Sequence, residues 1–312
     1  MLVCAAAFPA VAHAYPDKPI RLVVGFPPGG GADATARLVA QNLTETWRQT
    51  VVVDNRAGAG GNLAAEIVTK SNPDGYTLLM TSPGPVAINP TLMPKLPYNP
   101  LKELAPITLV AFGPNVLVVH PASPAKSLKE LIALARTSSN RLNYGSSGVG
   151  TTPHLSAEML KMMAKVDMVH VPYKGAGLAV IDLVAGRIDL MIVSAPTVMS
   201  QIRAQRLRAL AVTTLVRLSV LPDVPTFNEA GLPGYEASVW WGLLAPAGTP
   251  PRLIDKLHQT IVTFLKTADM RSRISAEGAE VAGTTPKEFG DFMRKETVKW
   301  AGVIKAAKIK VE

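Results

Sequence analysis

Residues 20–33 read IRLVVGFPPGGGAD. The apolar run Ile20–Phe26 stops at Pro27-Pro28-Gly29-Gly30-Gly31, and a helical pattern with Ala34, Leu38, Leu43 and Trp47 among its apolar positions follows. A short apolar run closed by Pro and Gly, then a helical period, is a strand–turn–helix unit. Its glycines allow backbone amides to approach a ligand, and the helix start attracts an anion. The same residues also serve as a plain tight turn. The glycines at 25, 29, 30 and 31 do not fit G-x-G-x-x-G, and no Gly-Lys-Ser/Thr follows, so neither a dinucleotide fingerprint nor a P-loop is present.

The unit repeats outward. Val51–Val53 reads as a second strand, the Gly-rich segment Arg56–Asn62 leads into a helix, and Thr77–Thr81 follows the turn Asn72-Pro73-Asp74-Gly75 as a third strand. This β-α-β-α-β order predicts a parallel sheet covered on both faces. The pattern restarts with a strand at Val116–His120, a capping box at Ser127-Leu128-Lys129-Glu130, a strand at Leu142–Gly145 and a helix opened by Thr152-Pro153. Met168–Val171, Leu190–Val193 and Leu207–Val212 read as further strands with helices between. Gly234–Ala245, GYEASVWWGLLA, reads as an extended return crossing, with helices at Thr249–Lys266 and Thr285–Ala307 after it. The expectation is therefore two α/β lobes with separate cores. Lobe 1 is discontinuous, 15–113 and 240–312, and lobe 2 is 114–239. Two crossings make a hinge, and the cleft between the lobes is the natural ligand site.

Composition agrees with a folded chain. Of 312 residues, 48% are hydrophobic, 18% charged and only 5% aromatic, so the cores are expected to be aliphatic. The stretch MLVCAAAFPAVAHA (1–14) is apolar, lacks Lys, Arg, Asp and Glu, and ends in Ala12-His13-Ala14, as at a signal-peptidase site. It reads as the remnant of a signal peptide without its positive n-region. The single cysteine, Cys4, lies inside it, so the expected exported form has no disulfide. No later apolar run reaches the roughly 20 residues needed to span a bilayer. The net charge of +9 comes from scattered basic residues, densest at Arg294, Lys295, Lys299, Lys305, Lys308 and Lys310. Such a surface steers anions inward. Few aromatics and no motif argue against nucleic-acid binding.

A second loop, YGSSGVGTTPH (144–154), again lies between a strand and a helix, now in the second half. With the first loop it offers two sets of donors for a carboxylate: Phe26, Pro28, Gly29, Gly30 and Gly31 from one lobe, Ser146, Gly150, Thr151 and Thr152 from the other. Asp33 reads either as a contact for an amino group or as a stabiliser of its own helix start. His154, in the first turn of its helix, either touches a ligand or packs. Ser82, Lys174 and Ser194 follow other strands, where ligands of open α/β sheets bind. The nucleophile-elbow spacing G-x-S-x-G fails at both Ser146 and Ser147, leaving Ser146 with His154 as the least unsuitable hydrolase pair. No H-E-x-x-H or similar metal spacing occurs, and no cofactor is expected.

Several segments carry a resemblance in combination: YPDKPIRLVVGFPPGGGAD (15–33), VVVDNRAGAGGN (51–62), PDGYTLL (73–79), LVVHP (117–121), YGSSGVGTTPHL (144–155), HVPYKGAG (170–177), LRALAVT (207–213), LPDVPTFNEAGLPGYE (221–236) and the W-x-G-L-L-A-P-A-G-T-P pattern (240–250). Together the sequence resembles the substrate-binding proteins of tripartite tricarboxylate transporters, the Bug receptors, over almost its whole length. The resemblance implies a type II periplasmic-binding-protein fold, two α/β lobes joined by two crossing segments that close like a Venus flytrap. It implies a periplasmic solute-binding protein that captures a small organic carboxylate and passes it to membrane transporter subunits, with no catalysis and no metal, as a monomer. The carboxylate is then expected between Phe26–Gly31 and Ser146–Thr152. Two departures stand out: Gly25, where many members have Pro, and Trp47-Arg48-Gln49-Thr50, where Leu-Gly-Gln is common. The alternatives are an exported α/β hydrolase-like enzyme and a receptor presenting its ligand to a signalling partner. Trp240 and Trp241 read equally as a wall for an aromatic acid or as hinge core.

Overall fold

The structure is a computed structural model that describes residues 15–137, 141–276 and 278–309. The leader expectation at 1–14 lies outside the described residues. The first half contains β1 (Ile20–Val24), α1 (Gly31–Trp47), β2 (Val51–Asn55), α2 (Asn62–Thr69), β3 (Thr77–Thr81), the short helices α3 (Asn89–Leu92) and α4 (Pro100–Glu103), and β4 (Leu104–Gly113). The second half runs β5 (Asn115–Val119), α5 (Leu128–Thr137), β6 (Leu142–Ser146), α6 (Thr152–Ala164), β7 (Met168–Pro172), α7 (Ala176–Val184), β8 (Leu190–Ser194), α8 (Ala195–Arg203) and β9 (Arg208–Val212). The chain then returns through β10 (Val239–Pro246), α9 (Pro251–Leu265), α10 (Ala268–Ala276), β11 (Glu280–Val281) and α11 (Pro286–Ala306).

These strands form two sheets, β2-β1-β3-β10-β4-β11 and β7-β6-β8-β5-β9. The expected parallel pairing of the first three strands is found, and the strands added beside them run otherwise. β1 pairs in parallel with β2 and β3, but β10 runs antiparallel to both β3 and β4. In the second sheet β5 runs antiparallel to β8 and β9. The reason is the crossings. β4 passes through Pro114 directly into β5, and β10 returns from the second half, so each sheet receives one strand entering from the other end. β4, β11, α3, α4 and α10 were not legible as elements in the sequence.

Both sheets are buried on two faces, and strand alternation sorts their side chains. On β1, Ile20, Leu22 and Val24 join one core while Val23 joins another; on β10, Trp241 and Leu243 face the first and Trp240 and Leu244 the second. That alternation is the two-residue period of a strand. The expected separate cores are only partly found. One cluster lies in the first lobe apart from Val239 at the boundary and one in the second, but a third is continuous across both, joining Leu79 and Phe289 with Leu117, Tyr144 and Ile192. The C-terminal helix α11 begins at Thr285 with the expected capping box to Glu288. Its Phe289 lies where a Cβ on Gly242 would stand 2.1 Å from the ring, so that glycine is a close-approach site.

Candidate ligand-binding site

Four helices begin at one cavity of about 330 Å³ between the sheets. They are α1, α6, α7 and α8, each following directly on the carboxyl end of a strand or its loop. Their N-cap residues are Gly30, Thr151, Gly175 and Ser194, and none caps its helix with a side chain. Each helix start carries roughly half a positive charge. Among the described residues, no Asp, Glu, Lys, Arg or His lines the cavity. Attraction for an anion there comes from backbone dipoles and hydroxyls.

Of the residues expected at the site, Phe26, Pro28, Gly30, Gly31, Ser82, Thr151, Thr152 and Ser194 line this cavity. The helix at Thr152-Pro153 is capped one residue earlier than expected, by Thr151, whose hydroxyl donates to the Gly148 carbonyl at 2.6 Å. Gly29, Asp33, Ser146, Gly150, His154 and Lys174 are not in the cavity wall. Each has a physical reason.

Asp33 is turned into its own loop. Its carboxylate accepts from the Gly29 N–H (3.0 Å), from Arg37 Nε (2.9 Å) and Nη2 (3.0 Å), and from Asn55 Nδ2 (2.9 Å). Burial opposes the charge, but these donors outweigh it and hold the Asp33 pKa below the usual carboxylate range. Asn55 Nδ2 also donates to the Phe26 carbonyl at 2.8 Å, so one carboxylate and one amide set the shape of the whole loop. Gly29 supplies a donor inward, to Asp33, rather than to the cavity.

The second loop is organised the same way. Ser146 is fully buried; its Oγ lies 2.6 Å from His170 Nε2 and accepts from the Gly148 N–H at 3.1 Å. His154 Nδ1 accepts from the Gly150 N–H at 3.3 Å. The rings of His154 and His170 stack at 4.2 Å, and His170 stacks on Tyr144 at 4.8 Å. Desolvation pushes His154 down to about 4 and His170 down to about 3, so both are neutral at pH 7. The pair weighed for hydrolysis, Ser146 with His154, is not formed. Ser146 bonds His170 instead, beneath the loop, where no substrate carbonyl reaches it. Lys174 is exposed and outside the cavity wall.

The structure adds wall residues that the sequence did not single out, among them Asn115, Thr197, Leu178, Ile181 and Val239. Asn115 opens β5, is fully buried, and donates through Nδ2 to the Ala237 carbonyl at 2.7 Å, tying the outgoing crossing to the returning one. A polar residue beginning an otherwise apolar strand was the available signal. The two tryptophans separate. Trp241 lines the cavity, whereas Trp240 faces the shared core and donates to Glu296 at 3.0 Å. Trp241 fits only because a Cβ on Gly31 or Gly113 would stand 2.3 or 2.4 Å from its ring. The unusual Gly25 has a similar cause: its Cβ would meet Gly61 Cα at 2.7 Å.

Besides the shared core, the lobes touch around the cavity. Pro27 of the first loop packs on Gly175 at the start of α7, and the Val149 and Gly150 carbonyls lie against Gly60 and Gly84.

This geometry has close relatives. The family model described as tripartite tricarboxylate transporter family receptor matches residues 35–309. Protein BugT of Bordetella pertussis is 38% identical over 307 residues, covering 98% of this chain and 94% of that protein. The solved structure of R. palustris Rpa4515 with adipate has a TM-score of 0.93 at 38% identity, covering 95% of this chain and 99% of that one. MatC (Rpa3494) from Rhodopseudomonas palustris with bound malate has a TM-score of 0.89 at 33% identity, covering 93% and 100%. With four helix starts around a cleft between two α/β lobes and a family match over most of its length, the chain belongs to the tripartite tricarboxylate transporter receptors.

Proposed function

We propose that the chain captures a small organic carboxylate in this cavity, in the periplasm, and passes it to the membrane subunits of a tripartite-type transporter. The observation that carries the reading is the convergence of α1, α6, α7 and α8 on a cavity without an ionisable side chain. Backbone amides at helix starts are hydrogen-bond donors, and the dipoles of several helices beginning at one cavity favour negative charge. The two relatives solved with adipate and malate support a carboxylate as the ligand. The contacts assigned to the ligand are Phe26, Pro28, Gly30 and Gly31 from lobe 1, with Ser82, and Thr151, Thr152 and Ser194 from lobe 2. Gly29, Asp33, Ser146, Gly150 and His154 shape the two loops from behind.

The lobes are taken as 15–113 with 240–312, and 114–239, and the working unit as a monomer delivered by export. Among the described residues no helix is long and apolar enough to cross a membrane. Native mass spectrometry of the purified protein, followed by denaturation, tests the reading. Release of a carboxylic acid of defined mass is the expected result. If calorimetry with mono-, di- and tricarboxylates then shows no heat for any acid, the reading is lost.

A further inference from the structure

Resting on the carboxylate reading, the chemistry of the walls narrows the ligand. We infer that this receptor takes an acid with an apolar body, aliphatic or aromatic, in preference to a compact hydroxylated dicarboxylate or a tricarboxylate. Three surfaces of the cavity are apolar. Leu178 and Ile181 stand three residues apart on α7 and so share one helix face. Both line the cavity while remaining 50% and 62% exposed. Val239 and Trp241 stand two apart on β10 and so share one strand face, and Val193 of β8 joins them in the wall. Phe26 completes the lining from the first loop.

Against these surfaces the polar part is small and uncharged. It consists of hydroxyls, the Asn115 amide and helix starts, which suffice for one carboxylate. A second or third carboxylate buried in the same cavity would have to share those same helix starts and hydroxyls with the first, and a buried charge short of donors is strongly disfavoured. An apolar body would instead cover Leu178 and Ile181, which the protein leaves half or more exposed. Exposed aliphatic side chains on a cavity wall are the pattern of a surface completed by its ligand.

The test is isothermal titration of the full chain, freed of bound ligand, with hexanoate, benzoate, malate and citrate at pH 7. Expected is at least tenfold tighter binding of hexanoate or benzoate than of malate or citrate, with a negative heat-capacity change from apolar burial. Ile181→Ser should weaken the preferred acid by about tenfold or more, the scale of a lost apolar contact in a pocket. Because Ile181 is 62% exposed, that change leaves the fold intact, which circular dichroism verifies. Ile181→Val should keep most of the affinity. Tighter binding of malate or citrate overturns the inference while leaving the carboxylate reading standing. No binding of any of the four overturns both. Equal loss of affinity in Ile181→Ser and Ile181→Val also overturns it, since bulk rather than apolar character would then matter.

Discussion

Pro27 and Gly175, from opposite lobes, are in contact: a Cβ on Gly175 would stand 2.9 Å from Pro27 Cδ. Both residues line the cavity, so the contact closes the site where the first loop meets the start of α7. Gly175 has φ +141°, a conformation that side chains rarely adopt. Gly175→Ala therefore brings backbone strain and a wedge between the lobes. Ligand affinity should fall tenfold or more. Gly186→Ala is the control, because Gly186 also has positive φ (+69°) but no atom within 4 Å of its Cβ position. It should lose stability without losing affinity. Calorimetry and thermal unfolding of the two variants separate strain from blocked closure, and equal affinities in both would remove the seam from the binding mechanism.

Neighbouring glycines in the first loop should behave oppositely. Gly30 has φ −92° and ψ 168°, an extended conformation open to any residue, and a Cβ there meets nothing within 4 Å. Gly30→Val should fold normally, project into the cavity and weaken the ligand. Gly31→Ala instead drives a methyl into Trp241, 2.3 Å from Cζ2. Overpacking of this kind costs roughly 1–3 kcal/mol. Thermal melts should show a drop for Gly31→Ala and almost none for Gly30→Val. A reversed order would mean that Trp241 is not wedged as described.

The contrast shows how far the sequence reaches. Pro-Pro-Gly-Gly-Gly between an apolar run and a helical period announces a βα turn, because turn chemistry is local, and that turn lines the cavity. The reversed directions of β5 and β10 were not legible, since they depend on where the chain crosses between lobes. Nor did the sequence tell wall from backing. Asp33 and Ser146 have the chemistry of ligand contacts, and only the positions of Arg37, Asn55 and His170 show them to be occupied. Leu178 and Ile181 were hidden by their helix: AGLAVIDLV carries a single charged residue, Asp182, too little to mark which side faces the cavity.

Ser146→Ala should act on stability before it acts on binding. The hydroxyl partners His170 and the Gly148 N–H. Removing it leaves the buried Gly148 N–H and the part-buried His170 Nε2 short of a partner, at a cost of about 1–3 kcal/mol. Urea unfolding of the variant should show that loss. If affinity instead falls tenfold at unchanged stability, Ser146 reaches the ligand after all.

The stacked histidines make the fold sensitive to mild acid. His154 and His170 titrate in the unfolded chain near 6.5, but burial lowers them to about 4 and about 3 in the native state. Lys161 lowers both further, His154 disfavours the charge of His170, and Glu158 opposes the shift at His170 without reversing it. Between 6.5 and 4 the unfolded chain binds more protons than the native one, so stability falls as pH falls, by up to about 1.4 kcal/mol per pH unit per histidine. Asp33 and Asp54 have lowered pKa values, and their contribution is lost only below the ordinary carboxylate value of 3.8. Unfolding free energies at pH 7, 5.5 and 4.5 should therefore decline, and His170→Gln should flatten the slope relative to the parent. A parent protein equally stable at pH 7 and 4.5 would mean that the ring pair takes up protons without opening.

Glu296 should separate stability from ligand recognition. This residue is only 7% exposed, and its Oε2 accepts from both Trp240 and Trp300 Nε1 at 3.0 Å. It thereby fastens the returning strand to α11. Glu296→Ala leaves two buried indole N–H groups without an acceptor, each worth about 1–3 kcal/mol. Glu296→Gln retains a carbonyl oxygen that accepts from both, so most of the stability should remain. Because Trp240 and Trp241 project to opposite faces of β10, neither change should move the cavity wall. Thermal unfolding should rank parent, Gln and Ala in falling order, while dissociation constants stay within about threefold. Trp241→Ala, by contrast, should reduce affinity, since that ring is the wall itself. If Glu296→Ala weakens the ligand as strongly as Trp241→Ala does, the two faces of β10 are coupled through the strand rather than independent.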